Sequence, residues 1–219
     1  MAQLRVHNLA ISLDGFGAGD SPSVDAPFGH AGDRLMRWFF PTRTFASMSG
    51  HESEAVGRGS TGVDDAFAAA TSVGIGAEIM GRGKFGPQTG PWQDEEWQGW
   101  WGDEPPFHSP VVVLTHHPRP DLTVGETTFH FRDAAPHEAL AIATDLAGGR
   151  DVRLGGGATV TREFLQADLV DRMHIVIVPI VLGRGPRLWD GLEGLEERFD
   201  IESTASPSGV VHQLFTRRR

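Results

Sequence analysis

The chain has 219 residues, with 19 lysines and arginines against 29 aspartates and glutamates, a formal charge of −10. It contains no cysteine, which excludes a disulfide framework, a thiolate nucleophile and cysteine-based zinc or iron–sulfur sites. The acidic balance argues against a nucleic-acid partner, because phosphate contacts need a basic face. Glycine is the surplus, at 28 residues, nearly double the ordinary share of about 7%.

Residues Gln3–Ile11 alternate and predict a first strand, which ends in the turn signal Ser12-Leu13-Asp14-Gly15. Residues 17–63 read as an irregular insert around one aromatic island, Arg37-Trp38-Phe39-Phe40. Asp64–Val73 predicts a helix, since two acids at its start suit the macrodipole. Ala77–Met80 predicts a short strand leading into Gly81-Arg82-Gly83-Lys84, where Lys84 is the only lysine of the chain. Residues 92–104 hold four of the six tryptophans. Trp97, Trp100 and Trp101 have helical spacing, which predicts an amphipathic helix with an apolar face or a cover over a substrate or dimer contact.

Val111–Thr115 and Thr127–Phe131 predict strands, and Pro136–Ala147 a helix closed by Gly148-Gly149. Asp151–Leu154 predicts a strand and Ala158–Gln166 a helix. Val170–Leu182 reads as a long strand interrupted by Pro179. Arg198–Thr204 and Gly209–Phe215 predict a closing hairpin. The alternation predicts a single α/β domain over residues 1–219, with a mostly parallel sheet and an antiparallel edge. The longest apolar run, Ile175–Leu182, is far below the ~20 residues that span a bilayer. The N-terminus lacks the apolar core of a signal peptide, so we expect a cytoplasmic chain with no membrane partner.

Two glycine clusters follow predicted strands. Gly81-Arg82-Gly83-Lys84-Phe85-Gly86 matches G-x-G-x-x-G, but Pro87, Gly90 and Pro91 prevent the long helix a dinucleotide fingerprint needs. It reads as a turn that offers Arg82 and Lys84 to an anion. Gly155-Gly156-Gly157-Ala158-Thr159 lies between a strand and a helix. There the backbone approaches a ligand without Cβ interference, and the helix N-terminus presents free N–H groups. We expect an anion at this turn. The adjacent His116 and His117 would point to opposite faces of a strand and make a poor chelating pair, so no metal is expected.

Four segments in order carry a resemblance: Ser12-Leu13-Asp14-Gly15, Met80-Gly81-Arg82, Val113-Leu114-Thr115-His116, and Leu154-Gly155-Gly156-Gly157-Ala158 followed by Pro179–Gly185. Together they resemble the dihydrofolate-reductase-like superfamily, in the branch related to the reductase domain of the riboflavin-biosynthesis deaminase–reductase. The resemblance implies a mixed sheet of about eight strands and an NADPH-dependent reductase of a small, pterin- or pyrimidine-like substrate. It implies that Gly81, Arg82, Thr115 and His116 meet the adenosine and its 2′-phosphate, with Lys84 as a neighbouring point charge. Gly155, Gly156, Gly157, Ala158 and Thr159 would hold the pyrophosphate. It also implies a homodimer through the late strands. Asp14 is the acidic candidate near the reacting ring, either as a proton relay or substrate contact, or as a cap on the Gly15 turn. The alternative is a non-catalytic nucleotide-binding module that keeps these turns.

Overall fold

The computed structural model describes residues 2–48, 59–94 and 96–218. One sheet is formed by β1 (Leu4–Ser12), β2 (Ile75–Gly81), β3 (Pro110–Leu114), β4 (Leu122–Val124), β5 (Thr127–Arg132), β6 (Asp151–Leu154), β7 (Arg172–Val178), β8 (Phe199–Ala205) and β9 (Val211–Arg217). Their order is β4-β5-β3-β2-β6-β1-β7-β9-β8. The run from β5 to β7 is parallel, while β4 and the β9–β8 pair add antiparallel edges. The ninth strand beyond the expected eight is β4, whose three residues are too few to show a period.

β1 explains how one strand serves two faces. Leu4 and Val6 alternate into the core, and then the register slips between Val6 and Leu9. Asn8 takes φ 57°, a left-handed conformation that asparagine tolerates better than most residues. The extra residue keeps Leu9 and Ile11 in the core that holds Leu4 and Val6. Ala10 joins the apolar cluster on the opposite face.

Among the described residues the α-helices are α1 (Arg43–Met48), α2 (Val63–Ala69), α3 (Arg82–Phe85), α4 (Pro136–Leu146) and α5 (Ala158–Gln166). α4 and α5 cover one face, burying Ala139, Ala143, Phe164 and Leu165 against β1, β2 and β6. On the other face, Ala68 of α2 packs with Leu35, Trp38 and Phe39 over Ala10, Val176 and Val178. A third cluster joins Phe85, Phe129 and Phe131 to Met80, Val111 and Val113. Between these last two clusters, β2 and β6 place the buried charges Glu78 and Arg153.

Three sequence expectations change. The insert contains a 3₁₀ turn at Gly29–Ala31 and helix α1, and its aromatic island is core, with Trp38 only 2% exposed. Residues 49–58 of that insert lie outside the described set. The described residues of 92–104 form turns, not a helix. Trp97 donates its ring N–H to the Phe85 carbonyl at 3.0 Å, and Trp101 stacks on Phe129. β7 stops at Val178, because Pro179 has no N–H for the ladder. Among the described residues no helix is long and apolar enough to cross a membrane.

Candidate functional site

The C-terminal ends of β2, β3 and β6 meet at the N-terminus of α5. β6 runs into Gly155, whose N–H donates to the Ile79 carbonyl at 2.8 Å. A Cβ on Gly155 would lie 1.8 Å from Glu78 Oε1, so only glycine fits over that carboxylate. Gly156 and Gly157 have φ 111° and 94°, and a Cβ on either would meet no atom of the described residues within 4 Å. α5 then starts with no side-chain cap and no acid in its first turn. Its first intrahelical bond is Thr161 N–H to Gly157 O, so the amides of Ala158, Thr159 and Val160 have no acceptor within the helix. Close approach of Gly17 to Ala158, and of Gly81 to Val160, seats this end of the helix against the β1 and β2 turns.

Beneath the turn lies an ion cluster. Glu78 Oε1 accepts from Lys84 Nζ at 2.8 Å, and Lys84 also donates to the Gly155 carbonyl at 2.6 Å. Arg153 grips the other Glu78 oxygen through Nε, at 2.6 Å, and through Nη2, and bonds Thr71 Oγ1 at 2.9 Å. Burial pushes the Glu78 carboxyl up, but Arg153 and Lys84 outweigh it and hold the group below the usual carboxylate range. Lys84 therefore departs from its expected place. Its ammonium serves Glu78 and the turn from below rather than standing free beside Arg82.

Arg82 opens α3 after Gly81. Its guanidinium stacks on Trp92 at 3.7 Å and donates through Nη1 to the Gly90 carbonyl. Its Nε and Nη2 are buried with no hydrogen-bond partner among the described residues. The register Gly81–Leu114 sets Thr115 beside this turn. The Thr115 hydroxyl accepts the His117 N–H at 3.1 Å, and its own N–H donates to Arg132 O. His116 points outward, 93% exposed, with Nδ1 2.9 Å from Asp133. Thus Gly81, Arg82, Thr115 and the 155–159 turn lie on one end of the sheet, while the His116 ring pairs away from it.

Asp14 sits at the end of β1 as a cap. It accepts from Ser12 Oγ at 2.6 Å and from the N–H groups of Leu182 and Gly183 at 3.1 and 2.7 Å. The Ser12 bond, with those backbone bonds, lowers its carboxyl to about 2. A group held so acidic is a poor proton donor near neutral pH, so the geometry favours the capping role.

Sequence reading missed Glu78 and Arg153. The signal was present: a charge inside an apolar strand needs a buried partner. The donors here suit a phosphate-rich dinucleotide. The uncapped helix end, two side-chain-free positions and the two orphaned Arg82 nitrogens supply unpaired donors where such a group needs acceptors matched.

The protein-family model "RibD C-terminal domain" matches residues 6–211. No curated protein sequence matches the chain. Among solved structures, a pyrimidine reductase-like protein from Corynebacterium diphtheriae NCTC is similar, with 14% identity, TM-score 0.53, and coverage of 100% of this chain and 92% of that one. Dihydrofolate reductase from Enterococcus faecalis, complexed with NADP(H) and RAB-propyl, shares 12% identity at TM-score 0.52, covering 99% and 97%. The diaminohydroxyphosphoribosylaminopyrimidine deaminase/5-amino-6-(5-phosphoribosylamino)uracil reductase from Thermotoga maritima shares 13% at TM-score 0.54, covering 99% of this chain and 57% of that one. At these identities the structural likeness establishes the dihydrofolate-reductase-like fold, and the family match over nearly the whole length establishes that the chain belongs to the RibD C-terminal domain family.

Proposed function

We propose that the chain is an NADPH-dependent reductase of a small heteroaromatic substrate of pyrimidine or pterin type. The observation that carries this reading is the uncapped start of α5 behind Gly155–Gly157, facing the same sheet end as the unpartnered Arg82 donors. The named likenesses, a pyrimidine reductase-like protein and a dihydrofolate reductase bound to NADP(H), support it. Bound NADPH supplies the hydride. The chain's own residues bind and orient: the amides of Gly156 to Thr159 meet the pyrophosphate, and Arg82 meets the 2′-phosphate. Gly81 and Thr115 flank the adenosine, and the ion cluster fixes the turn. The exposed His116 ring pairs with Asp133 and contributes at most at the rim. We further propose a soluble homodimer through the late strands, where β8 leaves an exposed outer edge.

Turnover tests the reading. The purified chain should oxidise NADPH when given 5-amino-6-ribosylaminouracil-type or dihydropterin substrates, followed by loss of the reduced-nicotinamide absorbance. NADPH binding with no turnover across such a panel would favour a binding module instead.

A further inference from the structure

The sheet order β3-β2-β6-β1 decides which end of a bound dinucleotide goes where. The proposed seat holds the adenosine on β2 and β3 and the pyrophosphate on the turn after β6, so the nicotinamide end runs towards β1. β6 pairs with β1 only as far as Leu154 with Val6, whereas β1 continues to Ser12. At about 3.3 Å per residue, the stretch from Asn8 to Ser12 extends about 13 Å beyond that pairing, past the glycine turn.

This stretch is pinned at both ends. At its far end Ser12 Oγ and the Leu182 and Gly183 amides bond Asp14. At its near end stands the bulge residue Asn8, with φ 57°. A line of hydrogen bonds runs from it across three other elements. The Asn8 N–H nitrogen lies 3.3 Å from His174 Nδ1 on β7, and His174 Nε2 lies 3.0 Å from His212 Nδ1 on β9. His212 Nε2 lies 2.8 Å from Asp64 Oδ1 in the first turn of α2. Phe67 of α2 stacks on both imidazoles, at 4.8 and 4.2 Å, and Trp38 meets His212 edge-on at 5.3 Å, so the ring planes are fixed.

The line has one direction. Burial raises the Asp64 carboxyl, but bonds from Ser206, His212 and Ser208 outweigh it and leave the group ionised at neutral pH. An ionised carboxylate only accepts, so His212 donates from Nε2 and accepts at Nδ1. His174 then donates from Nε2 and keeps a lone pair on Nδ1. Burial, with His7 and His212, takes His174 down to about 2, so the ring stays neutral and Nδ1 stays an acceptor. Both rings are sealed from solvent, and the donor this lone pair meets is the Asn8 N–H.

The Asn8 side chain adds to the hold. Its Oδ1 lies 3.0 Å from His174 Nδ1 and 3.2 Å from His7 Nδ1. A half-turn of the carboxamide brings its NH2 to that place, where it donates to both rings. Glycine takes φ 57° freely but has no such group, and aspartate has only acceptors.

We propose that Asn8 is a positioning residue for the nicotinamide end of the cofactor, held in place by His174, His212 and Asp64; the inference rests on the reductase reading above. With its bulge tied to α2, the second half of β1 presents a fixed edge and needs no ordering when the ring arrives. The line joins β1, β7, β9 and α2, whereas the phosphate donors sit on α3 and α5. Loosening the line therefore weakens the ring end of the cofactor and spares its phosphates.

Calorimetric titration of the full chain with NADPH and with 2′-phospho-ADP-ribose, which lacks only the nicotinamide, separates the two ends. Asn8→Gly and His174→Phe should each weaken NADPH about fivefold, the scale of one net hydrogen bond, and 2′-phospho-ADP-ribose by less than about twofold. His174→Gln should restore NADPH, because its carboxamide accepts from Asn8 and donates to His212. Should His174→Phe not fold, Asn8→Gly carries the test alone, since glycine suits the backbone there. In ¹⁵N-histidine spectra of the unmodified chain at neutral pH, His174 and His212 should both carry Nε2–H. Equal losses for the two ligands, full NADPH affinity in Asn8→Gly, His174→Gln as weak as His174→Phe, or Nδ1–H on His174 overturns the positioning role alone. Failure of the unmodified chain to bind 2′-phospho-ADP-ribose overturns the reductase reading, and this role with it.

Discussion

The ammonium of Lys84 donates to the Gly155 carbonyl at 2.6 Å while holding Glu78 at 2.8 Å, so the only lysine of the chain fastens the glycine turn to the sheet beneath it. The relationship assigns Lys84 a positioning role and makes it separable from Arg82 by experiment.

Lys84→Met should remove that fastening and leave Glu78 with Arg153 alone. Breaking one partner from a buried pair costs about 3 kcal/mol or more. The expected outcome is a lower urea midpoint with an unchanged slope, together with weaker binding of NADPH and NADH by similar factors. A selective loss for NADPH would return Lys84 to the 2′-phosphate.

The two glycine substitutions should behave differently. Gly155→Ala drives a Cβ to within 1.8 Å of a buried carboxylate oxygen, and overpacking of this kind costs about 1–3 kcal/mol. Gly156→Ala meets no neighbour but must adopt φ 111°, so it strains the turn without touching the ion cluster. Chemical denaturation should rank Gly155→Ala as the one that also perturbs Lys84, readable by NMR of the single lysine.

Arg82→Ala should weaken NADPH about tenfold or more, the magnitude of losing hydrogen bonds to a charged group, and leave NADH nearly unchanged. Arg82→Lys should recover little, because a point charge replaces a planar fork stacked on Trp92. Direct titration of both nucleotides checks this.

Stability should fall with acid well before the carboxylates titrate. His7 and His174 have native values of about 4 and about 2, below the 6.5 of the free side chain. The unfolded chain then binds more protons, so the stabilisation is complete above about pH 6.5 and is lost as pH falls towards those native values. The slope reaches about 1.4 kcal/mol per pH unit for each histidine. Urea midpoints at pH 7.5 and 5 should differ accordingly, and His174→Gln should flatten the difference. Asp14, lowered to about 2, acts in the same direction at still lower pH.

Much of the frame was legible in the residues. The strand Asp151–Leu154 and the helix Ala158–Gln166 lie where the sequence places them, because proline, glycine and apolar period agree there. The Trp-rich segment misled, since helical spacing of Trp97, Trp100 and Trp101 arises from three separate aromatic contacts on turns. Long-range polar pairings were invisible. Glu78 and Arg153 are 75 residues apart, and Asn8, Asp64, His174 and His212 come from four elements that only the sheet order brings together. Asp14 kept two readings until the Leu182 and Gly183 amides appeared on its oxygens.

The uncapped α5 turn and Arg82 together make the proposed nucleotide seat. Titrating the unmodified chain with NADPH and with NADH, followed by quenching of its tryptophan fluorescence, tests it most directly. A seat that reads the 2′-phosphate requires saturable NADPH binding, tighter than NADH. Absence of binding up to millimolar nucleotide, or equal affinity for the two, would contradict it.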